Sequence, residues 1–294
     1  MLPYAIVPEI EKLLYAYTKK EALIDETLAV GGGSINAAYR LSYSGKSFFL
    51  KYNDASRFPQ MFEKEALGLK LLHETQSLGV PDVVGHGDST KTSFLLLEFI
   101  EEGQADKRFW ENFGRSLAAM HRNSNSSFGL DHSNYIGSLK QFNTPEKSWP
   151  DFFVRQRLQP QLKMADQKAL LSAKTRADVE KLVELLPSLF PEEPPALLHG
   201  DLWSGNFLCS QTGEAVLIDP AVYYGHREMD IGMSKLFGGF HPHFYEAYNE
   251  AWPLEKGWQQ RVDLCNLYPL LVHVNLFGGG YVRQFEGCLR KYVR

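Results

Sequence analysis

The segment His199-Gly200-Asp201-Leu202-Trp203-Ser204-Gly205-Asn206 sets an aspartate five residues ahead of an asparagine, and Leu217-Ile218-Asp219-Pro220 follows shortly after. A carboxylate in the place of Asp201 can take a proton from a substrate hydroxyl as that hydroxyl attacks. The amide oxygen of Asn206 and the carboxylate of Asp219 are hard ligands. They suit Mg2+, which takes a few protein oxygens and completes its shell with phosphates and water. Earlier in the chain, Lys51 stands in a strand-like run of aromatic residues, and Glu65 falls within the apolar stripe of a helical segment, three residues after Phe62 and four before Leu69. An unpaired carboxylate there would be costly to bury. Pairing with Lys51 satisfies both groups.

The spacing of Asp201 and Asn206 is that of a phosphoryl-transfer catalytic loop, in which the first accepts the hydroxyl proton and the second holds magnesium. Gly31-Gly32-Gly33-Ser34 fits the same chemistry in a particular way. It falls where one strand pattern ends and another begins, so it is neither a Walker A loop nor a dinucleotide turn, both of which open a helix. It reads as a glycine-rich hairpin whose backbone amides could cover phosphates, or simply as a surface hairpin. A Lys51–Glu65 pair would hold an ammonium toward such phosphates.

The elements that must position these groups follow from periodicity. Helical spacing covers Ile6 to Lys20 and Gln60 to Leu78. Strand patterns cover Asp25 to Val30, Ala38 to Ser44, Phe48 to Tyr52 and Thr92 to Ile100, with Ser44-Gly45-Lys46 as a turn. Beyond Glu101-Glu102-Gly103 the pattern becomes helical: Phe109 to His121, Asp151 to Ala165, Lys168 to Leu186, Met229 to Phe237 and Val262 to Phe277. A short apolar strand, Ala215 to Asp219, interrupts it. This order predicts an α+β, bilobal chain. An antiparallel β-sheet N-lobe with one helix spans residues 1–100 and a mainly helical C-lobe spans 101–294.

The chain has 294 residues, 44% of them hydrophobic, with 31 basic against 35 acidic residues, so the formal net charge is −4. That composition describes a globular protein with a sizeable core and excludes disordered and fibrous classes. The absence of a dense basic tract argues against nucleic acid as a partner. Cys209, Cys265 and Cys288 form no paired motif, so no disulfide framework or cysteine zinc site is expected; they read as buried small hydrophobes in a reducing compartment. No signal-like N-terminus and no apolar run of membrane-spanning length are visible, which points to a cytoplasmic protein without a membrane partner. Asn125-Ser126-Ser127 matches a sequon that carries no meaning in such a compartment.

Taken together, HGDLWSGN, IDPA and GHREMD resemble the fructosamine kinase (ketosamine-3-kinase) family, within the wider superfamily of aminoglycoside and choline phosphotransferases. HGD and IDP alone mark only the superfamily. Trp203 after HGDL, Tyr223-Tyr224-Gly225-His226-Arg227-Glu228-Met229-Asp230 and Leu276-Phe277-Gly278-Gly279-Gly280 carry the narrower likeness, which runs over nearly the whole chain. The resemblance implies a protein-kinase-like fold and transfer from ATP, with Mg2+, to the sugar 3-hydroxyl of a ketosamine. Fructosamine or ribulosamine would be the acceptor, free or as glycated lysine on proteins, in deglycation repair. It implies Asp201 as general base, Asn206 and Asp219 as metal ligands, and Lys51 and Glu65 beside the ATP phosphates under Gly31, Gly32, Gly33 and Ser34. Glu98-Phe99-Ile100 would be the hinge meeting adenine, and Trp203 would flank the sugar.

Several residues keep two readings at this stage. Trp203 is a sugar platform or a core tryptophan, and His273 a substrate ligand or a packed histidine. Asp230 orients the catalytic loop or caps its own helix. Some family members carry a cysteine where Ser34 stands, so a thiol switch at that position is not expected here. HGD for HRD, IDP for DFG and the lack of an APE segment argue against a protein kinase. His73-Glu74 lacks the second histidine of a zinc motif, and His241 with His243 has no carboxylate at metal spacing. Two alternatives stay open: a kinase of another small alcohol such as an aminoglycoside, choline or homoserine, and a nucleotide-binding pseudokinase. Oligomeric state is not encoded in any motif.

Overall fold

The structure is a computed structural model, and it describes residues 2–31, 35–89 and 91–293. The chain divides into two compact units, one formed by Met1–Gln104 with Leu208–Asp219 and the other by Ala105–Phe207 with Pro220–Arg294.

The first unit is built on five strands. Helix α1 (Val7–Thr18) leads into β1 (Ile24–Val30), β2 (Ala37–Tyr43) and β3 (Lys46–Asp54), then α2 (Met61–Glu74), β4 (Val83–Asp88) and β5 (Thr92–Glu98). The antiparallel sheet runs in the order β1-β2-β3-β5-β4. Alternation along β3 sends side chains to opposite faces. Phe48 and Leu50 join Ile6, Ile10 and Leu14 of α1 in one cluster, while Phe49 packs with Phe62, Ala66 and Leu69 of α2 in another. The sheet therefore carries a helix on each face. Sequence periodicity gives these strands to within a residue or two, but β4 escapes it, because Val83-Val84-Gly85-His86-Gly87-Asp88 has little apolar content. The helix expected to run to Leu78 stops at Glu74, with Thr75 donating its hydroxyl to the Leu72 carbonyl at 2.7 Å.

Leu208–Asp219 arrives from far along the chain, and backbone bonds explain why it clusters with this unit. Gly79 donates to Ala215 at 3.2 Å, Leu217 to Gly79 at 2.8 Å, Gly103 to Cys209 at 2.8 Å and Gln211 to Glu101 at 3.2 Å. A single cut near residue 101 leaves this segment on the other side.

The second unit is mainly helical. It contains α3 (Lys107–His121), a hairpin of β6 (Asn134–Ile136) and β7 (Leu139–Gln141), α4 (Trp149–Phe152), a π-helical stretch (Phe153–Leu158), α5 (Gln159–Gln167) and α6 (Ala173–Leu189). Strands β8 (Ala196–Leu198) and β11 (Tyr223–Gly225) pair with each other here, whereas β9 (Phe207–Cys209) and β10 (Ala215–Leu217), also a pair, belong to the first unit except for Phe207. Helices α7 (Glu228–Leu236), α8 (Pro242–Ala251), α9 (Trp258–Cys265), α10 (Leu267–Phe277) and α11 (Gly280–Leu289) complete the second unit. The single helix expected over Val262 to Phe277 is in fact two, meeting at Asn266, whose amide donates to the Gly232 carbonyl at 2.9 Å. The π-helical stretch seats Arg157, fully buried, with its guanidinium 3.9 Å from the Tyr223 ring centroid and 4.6 Å from that of Phe152. Cys209 and Cys265 are buried as expected, but Cys288 is only half-buried, near Asp263. Among the described residues no helix is long and apolar enough to cross a membrane.

Candidate active site

In the first unit, β3 and α2 bring two charges together. Lys51 pairs across the sheet with Ala38 of β2 and Leu95 of β5, which places it mid-sheet on the α2 side. Its ammonium meets Glu65 at 2.5 Å and also bonds the Asp219 carboxylate. Lys51 is 4% exposed and Glu65 11%, whereas Asp219 is 55% exposed. Burial disfavours the ammonium, yet Asp219 and Glu65 outweigh it and hold the Lys51 pKa above its usual value. Burial pushes Glu65 up to about 7 against the pull of Lys51. The expected Lys51–Glu65 pair is present. The bond to Asp219 is an addition that no spacing in the sequence announces, since the two lie 168 residues apart.

Asp219 sits just past β10, at a positive φ of 53°, a conformation aspartate tolerates better than most residues. Gly31 is exposed with open space around it, and Gly32, Gly33 and Ser34 lie outside the described residues. Glu98 ends β5, its amide donating to the Asp82 carbonyl at 2.9 Å. Next to it, Phe99 lies under the Arg40 guanidinium, 4.5 Å from ring to cation, while Arg40 pairs with Glu101 at 2.6 Å; Ile100 is half-buried.

In the second unit, the loop after β8 carries Asp201. Leu202 and His199 are fully buried and anchor it on either side. The Asn206 amide donates to the Asp201 carboxylate at 3.0 Å and to its backbone carbonyl at 2.8 Å. The loop's base is fixed from below by Asp230 of α7, which accepts from the amides of His199 at 2.7 Å and Gly200 at 2.9 Å. Asp230 therefore orients the loop and does not cap its own helix. Its second partner is His121 of α3: a carboxylate can only accept, so His121 Nε2–H donates to it at 3.2 Å and Nδ1 accepts from the Tyr248 hydroxyl at 2.8 Å. Gly200 has φ +84°, and any side chain there would run into the Ala221 carbonyl.

Trp203 is half-exposed. Its indole folds over Gly205, where a side chain would strike the ring, and makes an edge contact with Phe237 at 5.8 Å. His273 lies on α10, its Nδ1–H donating to the Pro269 carbonyl at 2.8 Å, and burial lowers its pKa.

His121 and Tyr248 are the residues that sequence reasoning missed. They lie 127 residues apart, and neither stands in a motif, so no local signal could have drawn attention to them.

Against known proteins, the sequence profile described as fructosamine kinase matches residues 6–294. The chain belongs to the fructosamine kinase family. A probable ketoamine kinase of Synechocystis sp. is 43% identical over 272 residues, 92% of this chain and 91% of its own length. The chloroplastic protein-ribulosamine 3-kinase of Arabidopsis thaliana is 40% identical over 281 residues, 94% of this chain and 85% of its own. The crystal structure assigned to a fructosamine-3-kinase of Thermobifida fusca superposes with a TM-score of 0.88 at 37% identity, covering 98% of this chain and 99% of that one. An aminoglycoside phosphotransferase shares the fold alone, with a TM-score of 0.61 at 15% identity over 97% of this chain and 98% of its own. This member of the fructosamine kinase family is thus a phosphotransferase on the α+β, protein-kinase-like fold that the motif order predicts.

Proposed function

We propose that the protein is an ATP-dependent kinase that phosphorylates the 3-hydroxyl of a ketosamine, a fructosamine or ribulosamine, including glycated lysine on cytoplasmic proteins. The observation that carries the reading is the Asp201–Asn206 contact. It presents a carboxylate steadied by an amide, and the oxygen of that amide is a hard ligand. Asp201 acts as general base and takes the proton of the acceptor hydroxyl. Lys51, kept charged by its two carboxylates, holds phosphate oxygens, and Glu65 keeps Lys51 in place. Gly31, Gly32, Gly33 and Ser34 supply backbone amides, and Glu98-Phe99-Ile100 meets the adenine. Trp203 packs on the sugar's apolar face.

Asn206 and Asp219 fit Mg2+ by the chemistry of their donors: one amide oxygen and one half-exposed carboxylate, both hard, with room in the shell for phosphates and water. When bound, such an ion neutralises charge on the transferring group. The protein's own share of catalysis is then positioning and electrostatic support. Among the described residues no cluster of three or more histidine, cysteine or acidic side chains forms a metal cage.

The test is phosphorylation of ribulose-lysine and fructose-lysine with ATP and Mg2+, beside choline, homoserine and an aminoglycoside, with the product's position assigned by NMR. Selective 3-phosphorylation of a ketosamine supports the reading, and activity confined to another alcohol overturns the substrate while leaving Asp201's role. Asp201→Asn should lower kcat by about 10²–10⁴-fold with nucleotide binding kept.

A further inference from the structure

The first unit holds a cavity of about 370 Å³ between α2 and the segment that leads from Val80 into β4. That size is at the lower end of small-ligand sites, about 300–1,000 Å³. Ala66 and Leu69 of α2 line one wall and Val80, Pro81 and Val83 the other, all buried or half-buried, so the interior is apolar. Leu67 stands at the edge, 41% exposed. The charge around this interior is one-sided. Lys70, His73 and His86 are exposed lining residues, and among the described residues none of the three has an ion pair or a side-chain hydrogen bond. Asp82, the one carboxylate among the described lining residues, already accepts from the Tyr17 hydroxyl at 3.0 Å. An apolar cavity rimmed by an uncompensated ammonium and two imidazoles is complementary to an anion with an apolar body, since a carboxylate there gains charge-assisted hydrogen bonds while its body leaves water.

The two walls are the elements that deliver both carboxylates to Lys51. On α2, Ala66 follows Glu65 directly and Leu69 lies one turn beyond it. Opposite them, Val80 and Pro81 follow Gly79, whose backbone bonds Ala215 at 3.2 Å and Leu217 at 2.8 Å in β10, the strand that ends two residues before Asp219. Ala66 and Leu69 also pack in one cluster with Leu95 of β5, the residue paired with Lys51 across the sheet, and Val80 and Val83 lie against that cluster. A ligand touches both walls at once only while α2 is docked on the sheet, so it binds that arrangement better than any other and favours it.

We propose that this cavity is an effector site for a small apolar monocarboxylate, with the carboxylate at Lys70, His73 and His86 and the body between Leu69, Val80 and Val83. Occupying it holds Glu65 against Lys51 and so tightens the binding of nucleotide phosphates, a coupling that rests on the kinase reading above. The volume suits an aromatic ring on a short stem and excludes an acyl chain of membrane-lipid length. One permanent cation, Lys70, matches one negative charge, which favours a monocarboxylate over a phosphate dianion.

The experiment titrates the full-length protein calorimetrically with 3-phenylpropanoate and with 3-phenylpropanol, its uncharged match. The acid should bind with a Kd of about 1 mM or below and the alcohol about tenfold more weakly. Lys70→Ala should weaken the acid about tenfold and leave the alcohol unchanged. Leu67→Glu, which sets a carboxylate at the exposed edge, should abolish binding of the acid, while Lys12→Ala, at an exposed site on α1, should change nothing. Saturating acid should tighten a non-hydrolysable ATP analogue by about fivefold, and the analogue should tighten the acid by the same factor. In Glu65→Gln the acid should still bind with that factor lost. Failure of the acid to bind, equal Kd values for acid and alcohol, or a Kd for the acid unmoved by both Lys70→Ala and Leu67→Glu overturns the site. Binding of the acid as expected with no change in affinity for the analogue overturns the coupling. Failure of the analogue to bind with or without the acid overturns the kinase reading instead, and the site then stands or falls on the acid and alcohol titrations.

Discussion

Lys51 is held by two carboxylates of different character. Glu65 is buried and belongs to a helix packed on the sheet, whereas Asp219 is half-exposed and arrives on a segment distant in sequence. Removing Glu65 leaves Lys51, among the described residues, with the one carboxylate proposed to serve Mg2+, so the ammonium and the ion would compete for it. Glu65→Gln should therefore raise KM for ATP by about tenfold with a smaller effect on kcat, measured at saturating acceptor. Lys51→Ala should be worse in both parameters, because it removes phosphate contacts and strands buried Glu65. Near-normal turnover of Lys51→Ala would refute its assignment. The contrast between the two variants separates a residue that touches nucleotide from one that positions it.

At the scale of elements, α7 does for Asp201 what α2 does for Lys51. Asp230, buried near the start of α7, accepts two amides of the loop and the His121 ring. Hydrogen bonds to a charged acceptor contribute about 1.5–3 kcal/mol each, and loss of the acceptor orphans buried donors. Asp230→Ala should lower the unfolding free energy by about 3 kcal/mol in urea titration and lower kcat besides, whereas Asp230→Asn should keep part of both. His121→Phe, which keeps the ring's volume and drops its bonds, should cost less stability yet still slow turnover, because Asp230 would be free to tilt. Equal, small stability losses in all three variants would show that the loop holds its own shape.

At the scale of the molecule, stability depends on pH through buried histidine. His226 has its pKa lowered, first by burial. In the folded state it binds fewer protons than the unfolded chain below the usual pKa of about 6.5. Its contribution is therefore complete above about pH 6.5 and is lost as pH falls toward its folded pKa. Glu65 acts in the opposite sense: with its pKa raised to about 7, it disfavours folding increasingly as pH rises from the ordinary glutamate range toward that value. The difference between wild type and His226→Gln in urea midpoint isolates the histidine. The variant should lose less stability than wild type between pH 6.5 and about 5, and parallel curves would refute the assignment. The division of the chain makes a second prediction. A fragment of residues 1–104 lacks the strand segment that bonds Gly79, Glu101 and Gly103 and supplies Asp219 to Lys51. It should show no cooperative unfolding transition alone, and fusing residues 208–219 through a flexible linker should restore one.

Local order decides what the sequence alone determined. Alternation in β2 and β3, the apolar stripe of α2 with Glu65 inside it, and the Asp201 to Asn206 spacing are all set within a few residues, so periodicity and motif chemistry reach them. The same holds for the order of a sheet followed by helices. What the tertiary structure decided involves partners that no period links. The π-helical turn under Arg157, the break at Asn266, the weakly apolar strand β4, the Asp219 contact to Lys51 and the His121–Asp230–Tyr248 chain are each fixed by groups brought together from distant positions. Such contacts form because a buried charge or unpaired amide must find a partner. Which partner it finds depends on how the elements pack, and packing is a property of the folded chain.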